Sequence, residues 1–307
     1  EIVAAVNRGI DLGINLFDTA QAYGNGRSER LLARALGNRR KDVILVTKFG
    51  IGYEQGRDGS KAMVHKAIEQ SLEMLNTDYV DVYLVHWPDR DTRFEETMAA
   101  LDEIVQAGKV RFVGLSNFTP PEIKRCMAER RVDVLQYGCN LFDRRHTKWT
   151  FPYAEKENIG VMTYGSLAYG LLAGAFTEDT QFEDNDWRRK GGTNPTLQLF
   201  TPGIFQRNVK AVNEIKAIAK GLGKNLPHVA LNWVLSNKAV STALVGARRP
   251  EEVEDNMGAL DWTLSDDVKL EIDRVFAEYE INTSPKKWGE FDERYMGIDP
   301  AEWAGTD

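Results

Sequence analysis

Short apolar runs of strand length alternate with segments of helical period along the whole chain, and no other feature limits the fold as strongly. Seven such runs predict strands at residues 14–18, 43–48, 80–86, 110–115, 132–136, 160–164 and 240–245. Apolar residues at helical spacing predict helices over 64–75, 94–105 and 209–222. Strict alternation of strands and helices predicts a parallel sheet with right-handed crossovers.

Polar residues follow nearly every predicted strand, and their distribution decides between the two folds built on such a sheet. A barrel collects functional groups from the ends of many strands, whereas a doubly wound sheet concentrates them at one switch point. The residues concerned are Asp18, Lys48, His86, Ser116, Asn117, Gln136, Tyr164 and Arg248. This spread favours an α/β fold of the (β/α)8 barrel class. Because the first predicted helix has no strand before it, we expect the first barrel strand to lie upstream of Glu1.

The length of 307 residues suits one barrel domain with insertions, so we expect a single domain over residues 1–307. Residues 168–206 are rich in Asp, Gly, Asn and Thr and predict a long loop that covers a substrate or cofactor. From about residue 280 the periodicity fades, which predicts an irregular C-terminal tail.

Composition argues against several classes of protein. The net charge is −7 and no Lys/Arg block could follow a nucleic-acid backbone, so we expect no nucleic-acid partner. No apolar run approaches the ~20 residues that span a bilayer, so we expect a soluble chain without a membrane partner. Cys126 and Cys139 fit a reducing cytoplasm, and neither they nor the four scattered histidines predict a metal site.

Four residues at or near strand ends form a candidate proton-donor set. Asp18 and Lys48 end neighbouring predicted strands, so we expect them to form a partly buried ion pair. Tyr23 follows Asp18 in the next loop, and His86 ends the following strand. A tyrosine hydroxyl ordinarily has a pKa near 10 and is a poor acid at pH 7 unless a nearby cation favours its ionised form. Each residue alone has an ordinary structural explanation, but the four together predict acid catalysis.

These residues belong to a longer series of motifs that resembles the aldo-keto reductases, in the branch of bacterial aldo/keto reductases and potassium-channel β subunits. The similarity extends from residue 1 to about residue 260. The motifs are Phe17-Asp18-Thr19-Ala20, Tyr23-Gly24, Ser28-Glu29, Thr47-Lys48, His86-Trp87-Pro88, Gly114-Leu115-Ser116-Asn117-Phe118, Gln136-Tyr137 with Asn140, Tyr164-Gly165-Ser166-Leu167 and Gly246-Ala247-Arg248 with Glu252 and Asn256.

The resemblance implies a (β/α)8 barrel that reduces an aldehyde or ketone with NAD(P)H, or catalyses the reverse oxidation. It implies that Asp18, Tyr23, Lys48 and His86 are catalytic, with Tyr23 as the proton donor. For the cofactor it implies Ser116, Asn117 and Gln136 at the carboxamide, Tyr164 against the nicotinamide, Arg248 at the adenosine 2′-phosphate, and Glu252 and Asn256 at the adenine end. It implies Gly165, Ser166, Leu167 and Gly246 as further cofactor-binding residues, with Gly165 and Ser166 in the loop that covers the pyrophosphate.

A basic turn after the last predicted strand is a candidate anion site. Arg248 and Arg249 precede Pro250, which occupies a first-turn position of a predicted helix. Helix N-termini and guanidinium groups attract phosphate, so we expect NADPH to be preferred, with NADH as the alternative. Glu252 opposes this preference because a carboxylate repels phosphate.

Two rival interpretations remain. Gly50, Gly52 and Gly56 follow a predicted strand and weakly resemble a dinucleotide-binding turn of a doubly wound dehydrogenase, but the spacing does not fit. The second rival is a cofactor-binding regulatory or partner subunit with little turnover on the same barrel, since fold does not determine function. The expected partner is a small carbonyl or alcohol substrate, and a homo-oligomer is left open.

Overall fold

Seven strands form the main sheet in the order in which the chain supplies them. The computed structural model describes residues 1–52, 56–148, 150–191 and 198–283. The strands of the main sheet are β1 (Leu16–Asp18), β2 (Ile44–Phe49), β5 (Val80–Val85), β6 (Val110–Ser116), β7 (Val134–Gly138), β8 (Gly160–Tyr164) and β9 (Val240–Ala243). A separate antiparallel pair consists of β3 (Ile51–Gly52) and β4 (Gly56–Arg57).

The four pairings of described register, from β1 to β7, are all parallel. Sequential parallel order is the order of the (β/α)8 class, whereas a doubly wound sheet reverses its order at a switch point. The predicted α/β fold class and all seven predicted strands are therefore confirmed, with strand ends that differ from the predictions by at most two residues.

Helices follow most strands, as the sequence predicts. They are α1 (Ile2–Asp11), α2 (Arg27–Leu36), α3 (Lys61–Leu75), α4 (Phe94–Gln106), α5 (Pro120–Glu129), α6 (Thr150–Lys156), α7 (Ile204–Gly221), α8 (Leu226–Leu235), α9 (Pro250–Met257) and α10 (Asp266–Glu278). The Ser60 side chain caps α3 by accepting a hydrogen bond from the Met63 N–H at 3.3 Å. At the C-terminus of α2, Gly37 takes a φ of +49°, in the left-handed region that favours glycine.

The contacts divide the chain into two compact units. The first unit comprises Glu1–Tyr137, Tyr153–Met162 and Gly246–Asp255. Within it, every residue of β5 is buried, Asp81 included. A strand that is buried on both faces and paired on both edges is typical of the centre of a parallel sheet.

The second unit comprises Gly138–Pro152, Thr163–Val245 and the chain from Asn256 onward. Its core contains apolar residues of α7, α8 and α10, such as Val212, Ala230 and Ile272. The predicted loop 168–206 carries two short 3-10 helices, Ala168–Ala173 and Trp187–Lys190, and its aromatic side chains pack against each other. The expectation of a single domain stays a prediction. The description of the chain ends at residue 283, so most of the predicted C-terminal tail lies outside the described residues.

Cys126 and Cys139 are free and buried. Burial raises the pKa of the Cys126 thiol to about 12, so this thiol is a packing group and a poor nucleophile. In the described part of the chain, no helix is both long and apolar enough to cross a membrane. The same residues contain no cluster of three His, Cys, Asp or Glu side chains arranged to bind a metal.

Candidate active site

The predicted ion pair between Asp18 and Lys48 is present in the first unit. The Lys48 ammonium donates to Asp18 Oδ2 at 2.6 Å and to the main-chain oxygen of Thr19 at 2.8 Å. The Lys48 side chain is completely buried, whereas 14% of the Asp18 side chain is exposed. Because a buried charge is costly unless it is paired and hydrogen-bonded, these two contacts hold the ammonium in one place.

Gln136 holds the other oxygen of the same carboxylate. Its Nε2 donates to Asp18 Oδ1 at 2.7 Å, across 118 positions of sequence. The Ser116 hydroxyl in turn donates to the main-chain oxygen of Gln136 at 2.9 Å. Both carboxylate oxygens of Asp18 are therefore engaged, which limits rotation of the group that holds Lys48.

Tyr23 lies in the loop between β1 and α2, beside this ion pair. The Lys48 ammonium is 5.0 Å from the centroid of the Tyr23 ring. The ring meets the His86 imidazole edge to face, with centroids 5.6 Å apart and an interplanar angle of 81°. Tyr23 is 43% exposed, so its ring is reachable from solvent.

His86 follows β5, and its main chain is held on both sides. Its N–H donates to the Phe49 oxygen at 2.9 Å, and its oxygen accepts from Asn117 Nδ2 at 2.9 Å. Burial, assisted by the positive charge of Lys48, lowers the pKa of the imidazole to about 3. The ring is therefore neutral at pH 7, with one nitrogen that donates and one that accepts. Nδ1 is buried and has no hydrogen-bond partner among the described residues.

Asn117 connects His86 to the next strand end. Its φ of +66° lies in the left-handed region, which asparagine tolerates better than most residues. Nδ2 also donates to the Ser116 hydroxyl at 3.0 Å. Seven of the predicted site residues are thus linked by contacts within the first unit: Asp18, Tyr23, Lys48, His86, Ser116, Asn117 and Gln136.

The predicted anion site near Arg248 has a contact that the sequence did not reveal. Helix α9 begins at Pro250, as predicted, and the Glu252 carboxylate turns back to accept from the Arg248 N–H at 2.7 Å. This contact lowers the pKa of Glu252, with a further contribution from Arg249. The guanidinium groups of Arg248 and Arg249 lie 3.8 Å and 3.2 Å from the same carboxylate. Gly246 and the Arg248 side chain are exposed at this turn.

Tyr164 and Gly165 belong to the second unit. Tyr164 ends β8 and is half-buried. Gly165 has a φ of +64°, and a Cβ there would lie 3.2 Å from the Tyr169 ring. Its oxygen accepts from Asn140 Nδ2 at 2.9 Å. Glycine is therefore required at this position by both its backbone conformation and the close approach of Tyr169.

The remaining predicted cofactor residues also lie in the second unit. Ser166 is buried, and its hydroxyl donates to the Thr163 oxygen at 3.3 Å, while Leu167 is half-buried. Asn256 is half-buried near the end of α9, and its oxygen accepts from the Ala259 N–H at 3.1 Å. These positions were predicted as cofactor contacts from the resemblance, and their cofactor roles stay predictions.

Two buried residues beside the candidate site, Glu29 and Thr47, belong to the motifs quoted above but were assigned no role from the sequence. The Thr47 hydroxyl donates to Glu29 Oε1 at 2.7 Å, and both side chains are completely buried. The only sequence feature that could have indicated this contact is the Ser28-Glu29 pair at the start of a helix. An acidic residue is common at that position because it interacts favourably with the helix dipole. Nothing in that pattern predicts that the carboxyl group is buried against β2.

Comparison with known proteins agrees with the site and the fold. A model of the Aldo/keto reductase family matches residues 1–277. The aldo-keto reductase YhdN of Bacillus subtilis (strain 168) is 35% identical over 279 residues, which cover 89% of this chain and 82% of that protein.

Two solved structures share the fold. A glycerol dehydrogenase, AKR11B4 from Gluconobacter oxydans, has 34% identity and a TM-score of 0.84, over 91% of this chain and 86% of that chain. An aldo/keto reductase from Klebsiella pneumoniae in complex with NADP and acetate has 27% identity and a TM-score of 0.73, over 95% and 88% of the two chains. The family model and YhdN cover most of the sequence, and the strand order agrees with a (β/α)8 fold. The chain therefore belongs to the aldo/keto reductase family.

Proposed function

We propose that this protein reduces an aldehyde or ketone to an alcohol with NAD(P)H, or catalyses the reverse oxidation, and that Tyr23 donates the proton. Family membership supports an oxidoreductase. The observation that carries the proposal is the completely buried Lys48 ammonium, fixed by Asp18 and 5.0 Å from the Tyr23 ring. The partner is a small carbonyl or alcohol substrate. The two free cysteines favour a reducing cytoplasm as the place of the reaction.

The side chains near the ion pair fit the carboxamide of a nicotinamide cofactor. Ser116, Asn117 and Gln136 carry a hydroxyl and two amides, which can both donate and accept hydrogen bonds. Gln136 donates one amide N–H to Asp18. The amide oxygen of Gln136 can then accept a hydrogen bond from the carboxamide N–H of the cofactor. When bound, the cofactor supplies the hydride. The protein supplies the proton and stabilises the oxygen that receives it.

The proton comes from the Tyr23 hydroxyl in this proposal. As that hydroxyl gives up its proton, negative charge develops on its oxygen, and the Lys48 cation stabilises that charge. Asp18 keeps the cation in place, and Gln136 keeps Asp18 in place. The four residues thus act as one unit, in which only Tyr23 transfers the proton.

His86 orients the carbonyl oxygen. Because its low pKa keeps the ring neutral, it can donate one hydrogen bond without adding a positive charge next to Lys48. Nδ1 has no protein partner to donate to within the described residues, so we assign the ring proton to Nε2. An Nε2–H donor aimed at the substrate oxygen stabilises it while charge accumulates there.

NADPH is the proposed cofactor, with NADH as the alternative. The similar Klebsiella enzyme was solved with NADP. Arg248 and Arg249 place two positive charges at the start of α9, and Glu252 offsets one of them. A 2′-phosphate would replace the carboxylate as the partner of these guanidinium groups.

Turnover separates this function from the regulatory alternative. Purified protein is mixed with NADPH and a panel of small aldehydes and ketones, and nicotinamide absorbance is followed. An enzyme consumes one NADPH per alcohol formed, which product analysis confirms. A protein that binds NADPH tightly but oxidises it no faster than a carbonyl-free control would instead be a cofactor-binding subunit.

A further inference from the structure

The first turn of α2 contacts the loop that carries Tyr23. The Ser28 N–H donates to the main-chain oxygen of Tyr23 at 3.2 Å. The Thr19 hydroxyl donates to the Ser28 hydroxyl at 2.8 Å, and the Thr19 main-chain oxygen accepts from the Lys48 ammonium. This turn is therefore fixed to the residue after Asp18 and to Tyr23 itself.

The next residue of the same turn, Glu29, contacts β2. Its Oε1 accepts from the Thr47 hydroxyl at 2.7 Å, and Thr47 directly precedes Lys48. Successive side chains of a strand point to opposite faces, so Glu29 holds β2 from the face opposite the Lys48 ammonium. A shift of Thr47 would carry the Lys48 backbone with it.

Burial of Glu29 is costly for the fold. Its side chain is completely buried, and Oε2 has no hydrogen-bond partner among the described residues. Burial raises the pKa of this carboxyl group, against the opposing effects of the Thr47 hydroxyl and the nearby Ser71 hydroxyl. An apolar residue of similar volume would ordinarily stabilise such a position more than a poorly satisfied carboxyl group does. Fold stability alone therefore does not account for a glutamate here.

We propose that Glu29 is a positioning residue, which holds Lys48 at its distance from Tyr23 through the hydroxyl of Thr47. The proposal rests on the function proposed above. What it requires of Glu29 is an acceptor oxygen, not a negative charge. Ser28 supports the same geometry by fixing the turn to the Tyr23 loop.

The primary test is Thr47→Val, which removes the hydroxyl and preserves the shape of the side chain. Thr47→Ser keeps the hydroxyl, and Glu29→Gln keeps an acceptor oxygen without the charge. A matched control is Asp81→Asn, because Asp81 is also buried and anchors the other end of β2 by accepting from the Leu45 N–H at 2.9 Å. Thermal unfolding of all four variants identifies any that fail to fold.

The first readout needs no turnover. Crystal structures of the variants give the distance from the Lys48 ammonium to the centroid of the Tyr23 ring, which is 5.0 Å here. In Thr47→Val this distance should change, because β2 loses the contact with Glu29 that fixes it. Thr47→Ser, Glu29→Gln and Asp81→Asn should keep the wild-type distance.

The second readout is kcat with NADPH and an aromatic aldehyde. Thr47→Val should lower kcat by roughly tenfold or more, since small misplacements of catalytic groups are costly, while NADPH affinity stays the same. An unchanged distance between Lys48 and Tyr23 in Thr47→Val would overturn the proposal. A changed distance in Glu29→Gln or Asp81→Asn would overturn it as well, because charge or general strand stability would then be responsible. If the wild-type protein shows no turnover, the proposed function fails, whereas this distance still decides the role of Glu29.

Discussion

The Lys48 ammonium lies 2.6 Å from Asp18 Oδ2 although no part of the Lys48 side chain is exposed. Asp18 is the only carboxylate that pairs with this ammonium among the described residues, and Gln136 occupies its other oxygen. The ion pair is thus a structural element of the core as well as a part of the candidate site. Replacing Asp18 alone and replacing Lys48 alone should therefore lower the free energy of unfolding by different amounts.

Asp18→Asn should destabilise the protein more than Lys48→Met does. The first change leaves a buried ammonium without a countercharge, which costs about 3–5 kcal/mol for such pairs. The second leaves a carboxylate that is partly exposed and still bonded to Gln136. The free energy of unfolding from urea denaturation measures both. Equal losses, or a larger loss for Lys48→Met, would show that the burial of Lys48 does not dominate the energetics of the pair.

Stability should fall as the pH drops below about 6.5, because two histidines are buried in the neutral form. Burial lowers the pKa of both His86 and His146 from 6.5 to about 3. Between these values the unfolded chain binds protons that the folded chain does not, so the contribution is intact above pH 6.5 and is lost progressively toward pH 3. Each group costs about 1.4 kcal/mol per pH unit in this window.

Substitution of either histidine tests this linkage. His86→Gln and His146→Gln should each make the profile of unfolding free energy shallower between pH 6.5 and 5, by about 2 kcal/mol over that interval. The two variants remove imidazoles whose pKa is lowered to the same value, yet only His86 belongs to the candidate site. His86→Gln should therefore also lower kcat, while His146→Gln should not. If the unfolding free energy of wild type and variants changed with pH in the same way, these imidazoles would have the same pKa in the folded and unfolded chains, and the prediction would be wrong.

Cofactor preference should depend on the balance between Arg248 and Glu252. Arg248→Ala should weaken NADPH binding roughly 10- to 100-fold and hardly change NADH binding, because only NADPH carries the 2′-phosphate. Glu252→Gln should strengthen NADPH binding, since it removes the charge that now pairs with both guanidinium groups. Fluorescence titrations with both cofactors measure these changes. Tighter NADH binding in the wild type, or equal losses for both cofactors in Arg248→Ala, would reject this assignment.

The parts of the fold and site that depend on local pattern could be predicted from the sequence. The strand at residues 160–164 has its predicted ends, and the Asp18–Lys48 contact was expected because neighbouring parallel strands end at the same edge of a sheet. The antiparallel pair of β3 and β4 was missed because two-residue strands show no periodicity. Helix α8 was missed because Leu226–Leu235 is apolar on most faces and shows no helical stripe.

Contacts between distant segments could not be predicted in this way. The hydrogen bond from Gln136 to Asp18 joins residues that only the folded sheet brings together. Glu29 occupies a helix start, where a carboxylate normally faces water, so its burial against Thr47 depends on how α2 packs on β2. The turn of Glu252 toward Arg248 is a side-chain conformation that no sequence pattern specifies.

The central claim is that Tyr23 donates the proton to the carbonyl oxygen, and a single-turnover comparison of wild type with Tyr23→Phe tests it most directly. Each protein is loaded with NADPH, mixed rapidly with an aldehyde, and followed by nicotinamide absorbance, after a titration has measured NADPH affinity. We predict that Tyr23→Phe binds NADPH as the wild type does and oxidises it roughly 10²- to 10⁴-fold more slowly, the range expected for loss of a general acid. Equal rates in the two proteins would contradict the account.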